Sequence, residues 1–213
     1  MEEKEEEIKI EEKEKFQIKN PILREIVEWI EVLVIAFVLA LVIKTFVIET
    51  TEVSGDSMYS TLNHKDKLLV NRFIYKFKSP ERGDIIVFLP DNENRNYIKR
   101  IIATPGETVD IHDGNVYING VLLEEDYITQ DTYNLLSDAK EFPYTLAEGE
   151  YFAMGDNRGN SLDSRSVDVG QLTLDKIRGR AVCRIYPFNK ICGFGHLDYE
   201  CLDEAENENV EAE

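Results

Sequence analysis

Three cysteines and three histidines in 213 residues are too few and too scattered to build a metal centre. Cys183, Cys192 and Cys201 form no C-x-x-C pair and no cluster with histidine, so no metal is expected. Their count is odd. Cys192 and Cys201 can pair if the domain is extracytoplasmic; otherwise all three read as idle or buried thiols. Basic charge is also scarce, with 24 Lys and Arg against 42 Asp and Glu and a net charge of −18. That balance argues against nucleic acid as a partner. The deficit is uneven. Residues 1–28 hold ten acids and six bases, 198–213 hold eight acids and no base, and 49–197 carry a net of only −6. Segments 1–20 and 198–213 therefore read as acidic, solvated tails. After residue 48 there is no sustained helical period, no internal repeat and no long low-complexity linker, which leaves one compact domain over 49–197.

What the chain does have is one membrane-length apolar run. Asn20 and Pro21 read as an N-cap and a first-turn proline. No glycine or further proline interrupts 22–48, and 32–43 is apolar throughout. The twenty residues 29–48 suffice at ~1.5 Å each to cross ~30 Å of hydrocarbon, so 21–48 is expected to be a transmembrane anchor helix. Trp29 fits an interfacial belt, Lys44 can snorkel, and Glu31 belongs at the boundary. A buried core helix is the competing reading. Lys13, Lys15, Lys19 and Arg24 precede the run, and the next bases after Lys44 are Lys65 and Lys67. The positive-inside rule then places the N-terminus in the cytoplasm and 49–213 outside, in a single-pass plasma-membrane topology. No small-x-small site follows the run before Ser57, so a cleaved signal peptide fits worse.

The body reads as mainly β. Segments 66–75, 84–89, 97–103, 107–111, 116–118, 121–123, 142–154 and 179–188 are rich in branched and aromatic residues and bounded by turn residues. His112-Asp113-Gly114-Asn115 and Asn119-Gly120 are hairpin signals. Segment 167–177 can hold a turn or short helix. So many short strands predict a coiled, barrel-like antiparallel sheet. Arg72 to Lys78 interleaves bases with aromatics and reads as a half-buried strand, with headgroup contact as the alternative.

Ser57 follows Gly55 and Asp56 in a turn-prone stretch, where glycine lets backbone N–H groups approach a carbonyl. A serine needs a base to become a nucleophile. His64, His112 and His196 lie in polar, turn-like settings and read as surface histidines. Lys99 lies inside the apolar strand Tyr97-Ile98-Lys99-Arg100-Ile101-Ile102, with Tyr97 and Ile101 on its face and Arg100 on the other. Burial there disfavours the ammonium form and makes a general base. An edge or snorkelling lysine is the plain alternative.

Four blocks in order resemble the bacterial type I signal peptidases, a family of membrane-anchored Ser/Lys proteases. They are Ser54-Gly55-Asp56-Ser57-Met58-Tyr59-Ser60-Thr61-Leu62, Pro80-Glu81-Arg82-Gly83-Asp84-Ile85-Ile86-Val87-Phe88, Tyr97-Ile98-Lys99-Arg100-Ile101-Ile102-Ala103-Thr104-Pro105-Gly106-Glu107 and Gly155-Asp156-Asn157-Arg158-Gly159-Asn160-Ser161-Leu162-Asp163-Ser164-Arg165. The anchor and the closing 179–188 also match, so the resemblance covers about 22–190. It implies that Ser57 is the nucleophile and Lys99 the general base. Ser161 is implied to hydrogen-bond and orient the lysine. Asp163 and Arg165 are implied to form a supporting ion pair, and Arg100 is counted with them as structural support. Val53, Met58, Leu62, Tyr97 and Ile98 match shallow apolar pockets for small residues one and three places before the cut. The implied substrates are secretory preproteins at the lipid bilayer, cleaved without metal or cofactor.

Two positions depart from the family pattern. Ser60 stands where proline is usual, which is expected to loosen the turn by under ~1 kcal/mol. Gly55 stands where some members carry a serine that binds the oxyanion, so the backbone N–H of Ser57 is expected to take that role. Two other functions compete. A self-cleaving repressor-type Ser/Lys protease would need a DNA-binding N-terminus, where this chain has an acidic tail. A catalytically inactive, membrane-tethered β module that binds exported chains would keep the fold alone.

Overall fold

The computed structural model describes residues 21–42, 47–91, 93–133 and 138–195. The chain divides into two compact units, Met1–Thr45 and Phe46–Glu213.

The first unit contains helix α1, Pro21–Val42. The absence of glycine and of internal proline lets it propagate for 22 residues. Every described side chain on it is exposed, including Trp29, Leu33, Ile35 and Phe37. Arg24, Glu25, Glu28 and Glu31 fall in its N-terminal half, where Arg24 and Glu28 form an exposed pair one turn apart. Among the described residues no helix is long and apolar enough to cross a membrane. Of the segment expected as an anchor over 21–48, a helix is described only as far as Val42. Asn20, Lys44 and the rest of 43–46 lie outside the described residues, and Ile48 already belongs to a strand.

The second unit is antiparallel β. Strands β1 (Ile48–Glu52), β2 (Lys67–Asn71), β3 (Ile85–Phe88), β4 (Tyr97–Ala103), β9 (Glu150–Met154), β10 (Leu172–Thr173), β11 (Ile177–Tyr186) and β12 (Cys192–Gly193) form one sheet. Its order is β1-β2-β11-β3-β4-β9-β10, with β12 also on β11. Strands β5 (Thr108–His112), β6 (Asn115–Ile118), β7 (Val121–Leu122) and β8 (Tyr144–Thr145) form a second sheet in the order β7-β6-β5-β8. The long strand β11 shifts register twice against β2 and once against β3, and β4 shifts against β9. Such bulges add local twist, and the large sheet curls into a half-barrel. At one of these crossings a Cβ on Gly179 would lie 2.5 Å from the Asn71 carbonyl, so only glycine lets the strands meet.

The predicted β class and most strands are present. Both hairpin signals form turns with two left-handed residues, Asp113-Gly114 and Asn119-Gly120. Three expectations need correction. The strand expected over 66–75 stops at Asn71, because the Asn71 side chain accepts the N–H groups of Phe73 and Ile74 and starts a 3₁₀ turn at Ile74–Lys76. The Arg72 to Lys78 segment is consequently that turn, with Phe73 and Phe77 edge to face, and not a strand. The expected 142–154 strand is two, broken where Glu150 accepts the Ala147 N–H and Gly149 takes φ +76°.

Three apolar clusters form the core. One, with Val53, Met58, Leu62, Leu68, Val70 and Ile98, lies under the segment between β1 and β2. A second fills the opposite face of β3 and β4 with Ile86, Phe88, Tyr97 and Ile101. A third joins β4 and β9 to the small sheet through Ile102, Val109, Ile118 and Phe152.

Candidate active site

Ser57 sits in the turn between β1 and β2. The turn is closed by hydrogen bonds from Tyr59 N–H to the Asp56 carbonyl (3.0 Å) and from Leu62 N–H to the Met58 carbonyl (2.8 Å). Met58 and Leu62 are fully buried in the cluster beneath and pin the turn to the sheet. From outside, Asn157 holds it twice. Its N–H donates to the Ser57 carbonyl and its Nδ2 to the Asp56 carbonyl, both at 3.0 Å. The Tyr59–Ser60 peptide is cis.

Lys99 lies mid-strand in β4, opposite Ile86 of β3. Only 3% of it is exposed. Its Nζ lies 2.7 Å from Ser57 Oγ and 5.3 Å from the centre of the Tyr97 ring. Burial lowers the lysine pKa from 10.5 to about 8, opposed by the Asp163 carboxylate and assisted by the Arg165 charge. The alternative of an edge or snorkelling lysine is excluded, because every residue of β4 is buried.

The 155–165 segment walls this pair. Asp163 and Arg165 form the expected ion pair, with Arg165 Nε 2.8 Å from Asp163 Oδ1 and Nη2 2.9 Å from Oδ2. Neither is on the surface; both are essentially fully buried. Burial pushes the Asp163 carboxyl up, and Arg165, with smaller help from Lys99, pulls it down further, so it stays ionised. Arg165 also donates to the carbonyls of Tyr133 and Arg158, and Asp163 accepts the Gly155 N–H. Arg100 is not free on its face. It makes a two-pronged contact with Asp156 (3.0 and 2.7 Å) and lies 4.0 Å over the Tyr127 ring. Asp156 in turn accepts from Thr61 Oγ1 of the nucleophile turn at 2.6 Å.

Ser161 departs from expectation. Its Oγ is buried and makes no hydrogen bond to Lys99; its hydroxyl helps to hold the Asp163 carboxyl down. It packs instead against Gly155, where a Cβ would come within 2.3 Å of both Ser161 Oγ and the Ser57 carbonyl.

A cleft of ≈ 440 Å³ opens over Ser57 and Lys99. Val53, Met58, Tyr97 and Ile98 of the expected pocket line it, together with Gly55. Leu62 does not, being a core residue below the turn. Sequence reasoning missed Leu162, Asn160, Arg95 and Glu52, which also line the cleft. It also gave no role to Asp156, Asn157 and Thr61, which fasten the turn. Among the described residues no group of three or more His, Cys, Asp or Glu side chains is arranged to hold a metal ion. Cys183 and Cys192 are free thiols; Cys201 and His196 lie outside the described residues. His112 stacks on Tyr117 at 4.1 Å, while His64 Nδ1 accepts the N–H of Gly55 at 3.1 Å.

The family model described as "Signal peptidase, peptidase S26" matches residues 26–186. Signal peptidase I S of Bacillus subtilis (strain 168) is 39% identical over 176 residues, covering 79% of this chain and 93% of that protein. Signal peptidase I of Leptolyngbya laminosa is 39% identical over 178 residues, covering 80% of this chain and 84% of the other. A crystal structure of a signal peptidase I from Enterococcus faecalis V583 is 37% identical, covering 48% of this chain and 97% of that one at a TM-score of 0.40.

Proposed function

The chain belongs to the signal peptidase family, peptidase S26, and from that membership we propose a membrane-bound serine endopeptidase with Ser57 as nucleophile and Lys99 as general base. As a member the chain is an enzyme, and removal of signal peptides is its activity. The observation that carries the finer reading is the 2.7 Å approach of Lys99 Nζ to Ser57 Oγ at the floor of an open cleft. A lysine with a pKa near 8 is neutral in a useful fraction close to physiological pH.

In this reading a preprotein lays its cleavage segment along the cleft, and the shallow surface of Val53, Met58, Tyr97 and Ile98 accepts small side chains. Such a surface suits the small-x-small pattern of secretory signals. Neutral Lys99 takes the Ser57 hydroxyl proton as Oγ attacks the carbonyl carbon. The oxyanion is met by the Ser57 backbone N–H. The Lys99 ammonium then gives its proton to the departing amine of the mature protein, and the signal peptide stays as an ester on Ser57. Lys99 next takes a proton from water as the water oxygen attacks the ester carbonyl, then returns that proton to Ser57 Oγ as the ester C–O bond breaks and the signal peptide leaves with a free carboxyl end.

Asp163, Arg165, Arg100 and Asp156 hold the wall that keeps Lys99 dry and Ser57 aimed. Helix α1 supplies the core of the anchor, with residues 1–20 cytoplasmic and the β domain that begins with β1 at Ile48 extracytoplasmic and catalytic. The exposed apolar side chains of α1 support that assignment, since such a surface needs lipid or protein against it. The lipid bilayer and secretory preproteins are then the partners.

The test uses full-length protein in liposomes with a preprotein carrying an Ala-x-Ala site, read by mass spectrometry. Wild type is expected to cut after the second alanine, and Ser57→Ala and Lys99→Ala to lose the cut. Cleavage surviving in Lys99→Ala would place the base elsewhere.

A further inference from the structure

Gly55 lies two residues before the nucleophile, at a point of the turn with no side-chain packing. Its φ of +94° is open only to glycine, and nothing lies within 4 Å of where a Cβ would be. Both flanks are fixed. Upstream, Val53 N–H donates to the Asp66 carbonyl and the Val53 carbonyl accepts Lys65 N–H. Downstream, Asn157 holds Asp56 and Ser57. Between them, the Gly55 N–H donates to His64 Nδ1 at 3.1 Å.

The platform that carries His64 is braced. Asp66, 3% exposed, accepts from the Asn63 N–H (2.9 Å) and from Arg184 (2.9 Å), and its own N–H closes onto the Asn63 carbonyl. Arg184 also donates to the Thr61 carbonyl at the end of the nucleophile turn. This braced loop presents His64 Nδ1 as the acceptor of the Gly55 N–H.

We propose that His64 is a positioning residue for the nucleophile: its Nδ1 tethers the Gly55 amide, fixes the 54–57 path and so keeps Ser57 Oγ within reach of Lys99. The tether also occupies the Gly55 N–H, which leaves the Ser57 N–H as the oxyanion donor of this turn. His64 touches neither substrate nor the reacting atoms, so its effect falls on the catalytic step and not on binding. The inference rests on the serine-protease reading above and adds a residue that the sequence presents as an ordinary surface histidine.

The test compares full-length wild type, His64→Ala and His64→Asn in liposomes, because the Asn side-chain oxygen can replace Nδ1 as acceptor. Preprotein cleavage gives kcat and KM, and hydrogen exchange follows the backbone amides of 54–58. An exposed tether of one hydrogen bond predicts a kcat about three- to tenfold lower in His64→Ala with KM unchanged. Gly55 exchange should be faster there, and both readouts should recover in His64→Asn. Unchanged kcat and exchange in His64→Ala would overturn the proposal. So would a His64→Asn variant that behaves like His64→Ala, or a loss that appears in KM alone. If wild type itself cleaves nothing, the serine-protease reading fails, while the exchange comparison still decides whether His64 tethers Gly55.

Discussion

At the residue scale, Lys99 carries the proposed chemistry and a cost in stability. A pKa of about 8 against 10.5 in an unstructured chain means that the fold expels its proton between those values. Two predictions follow from the sign. First, if neutral Lys99 is the base, kcat/KM rises about tenfold per pH unit below 8 and levels off above it; a rate flat from pH 5 to 9 would contradict the role. Second, below pH 8 the folded protein carries an unfavourable buried ammonium, on the order of 3 kcal/mol for a shift of this size. Between pH 8 and 10.5 the unfolded chain binds the extra proton, so stability rises with pH across that window. Lys99→Met keeps the apolar stem and removes the charge. It is expected to unfold at higher denaturant than wild type at pH 7, with the difference shrinking towards pH 10, while cleavage is lost. A variant less stable than wild type at pH 7 would show that Asp163 already compensates the lysine charge.

At the scale of elements, the site is a turn and a loop clamped against one strand. Gly155 is where they touch. Gly155→Ala drives a methyl group into the Ser57 carbonyl and Ser161 Oγ, both 2.3 Å away, and neither backbone nor buried serine can retreat cheaply. It is expected to abolish cleavage and lower the thermal midpoint by several degrees, measured by calorimetry. Asp163→Ala removes one half of a fully buried pair and the acceptor of the Gly155 N–H. Leaving Arg165 uncompensated predicts a loss of about 3–5 kcal/mol in denaturant unfolding. Much of this scale was legible in the sequence. Alternation placed Lys99 inside a strand, and Asp113-Gly114 and Asn119-Gly120 announced their hairpins, because these signals are local. The clamps were not legible by the same means. Arg100 meets Asp156 across 56 positions, Arg158 meets Glu125 across 33, and Thr61 meets Asp156 across 95. No spacing rule links such partners, since tertiary closure alone decides which charges are buried together. The break after Asn71 shows the reverse failure. An apolar period ran on through Tyr75, but one side-chain oxygen capturing two backbone N–H groups ended the strand.

At the scale of the whole molecule, the Phe46–Glu213 unit contains the strands, the cores and the cleft, and the Met1–Thr45 unit contains the helix. If the helix serves as an anchor, its contribution is to concentration and not to chemistry. Holding enzyme and preprotein in one bilayer converts encounter into an effectively intramolecular event, with effective concentrations in the millimolar range for short linkers. A protein lacking residues 1–45 should then unfold at the same denaturant midpoint as the full chain. It should cleave a short soluble Ala-x-Ala peptide at an unchanged kcat/KM, since neither Ser57 nor Lys99 nor their wall has changed. On a preprotein inserted in liposomes it should be slower than the full chain by ~100-fold or more, with the deficit shrinking as detergent disperses the substrate. Equal losses on peptide and preprotein would mean that the first unit supports the fold of the second. No loss on either would remove the anchor from the mechanism and leave the exposed apolar face of α1 to another partner.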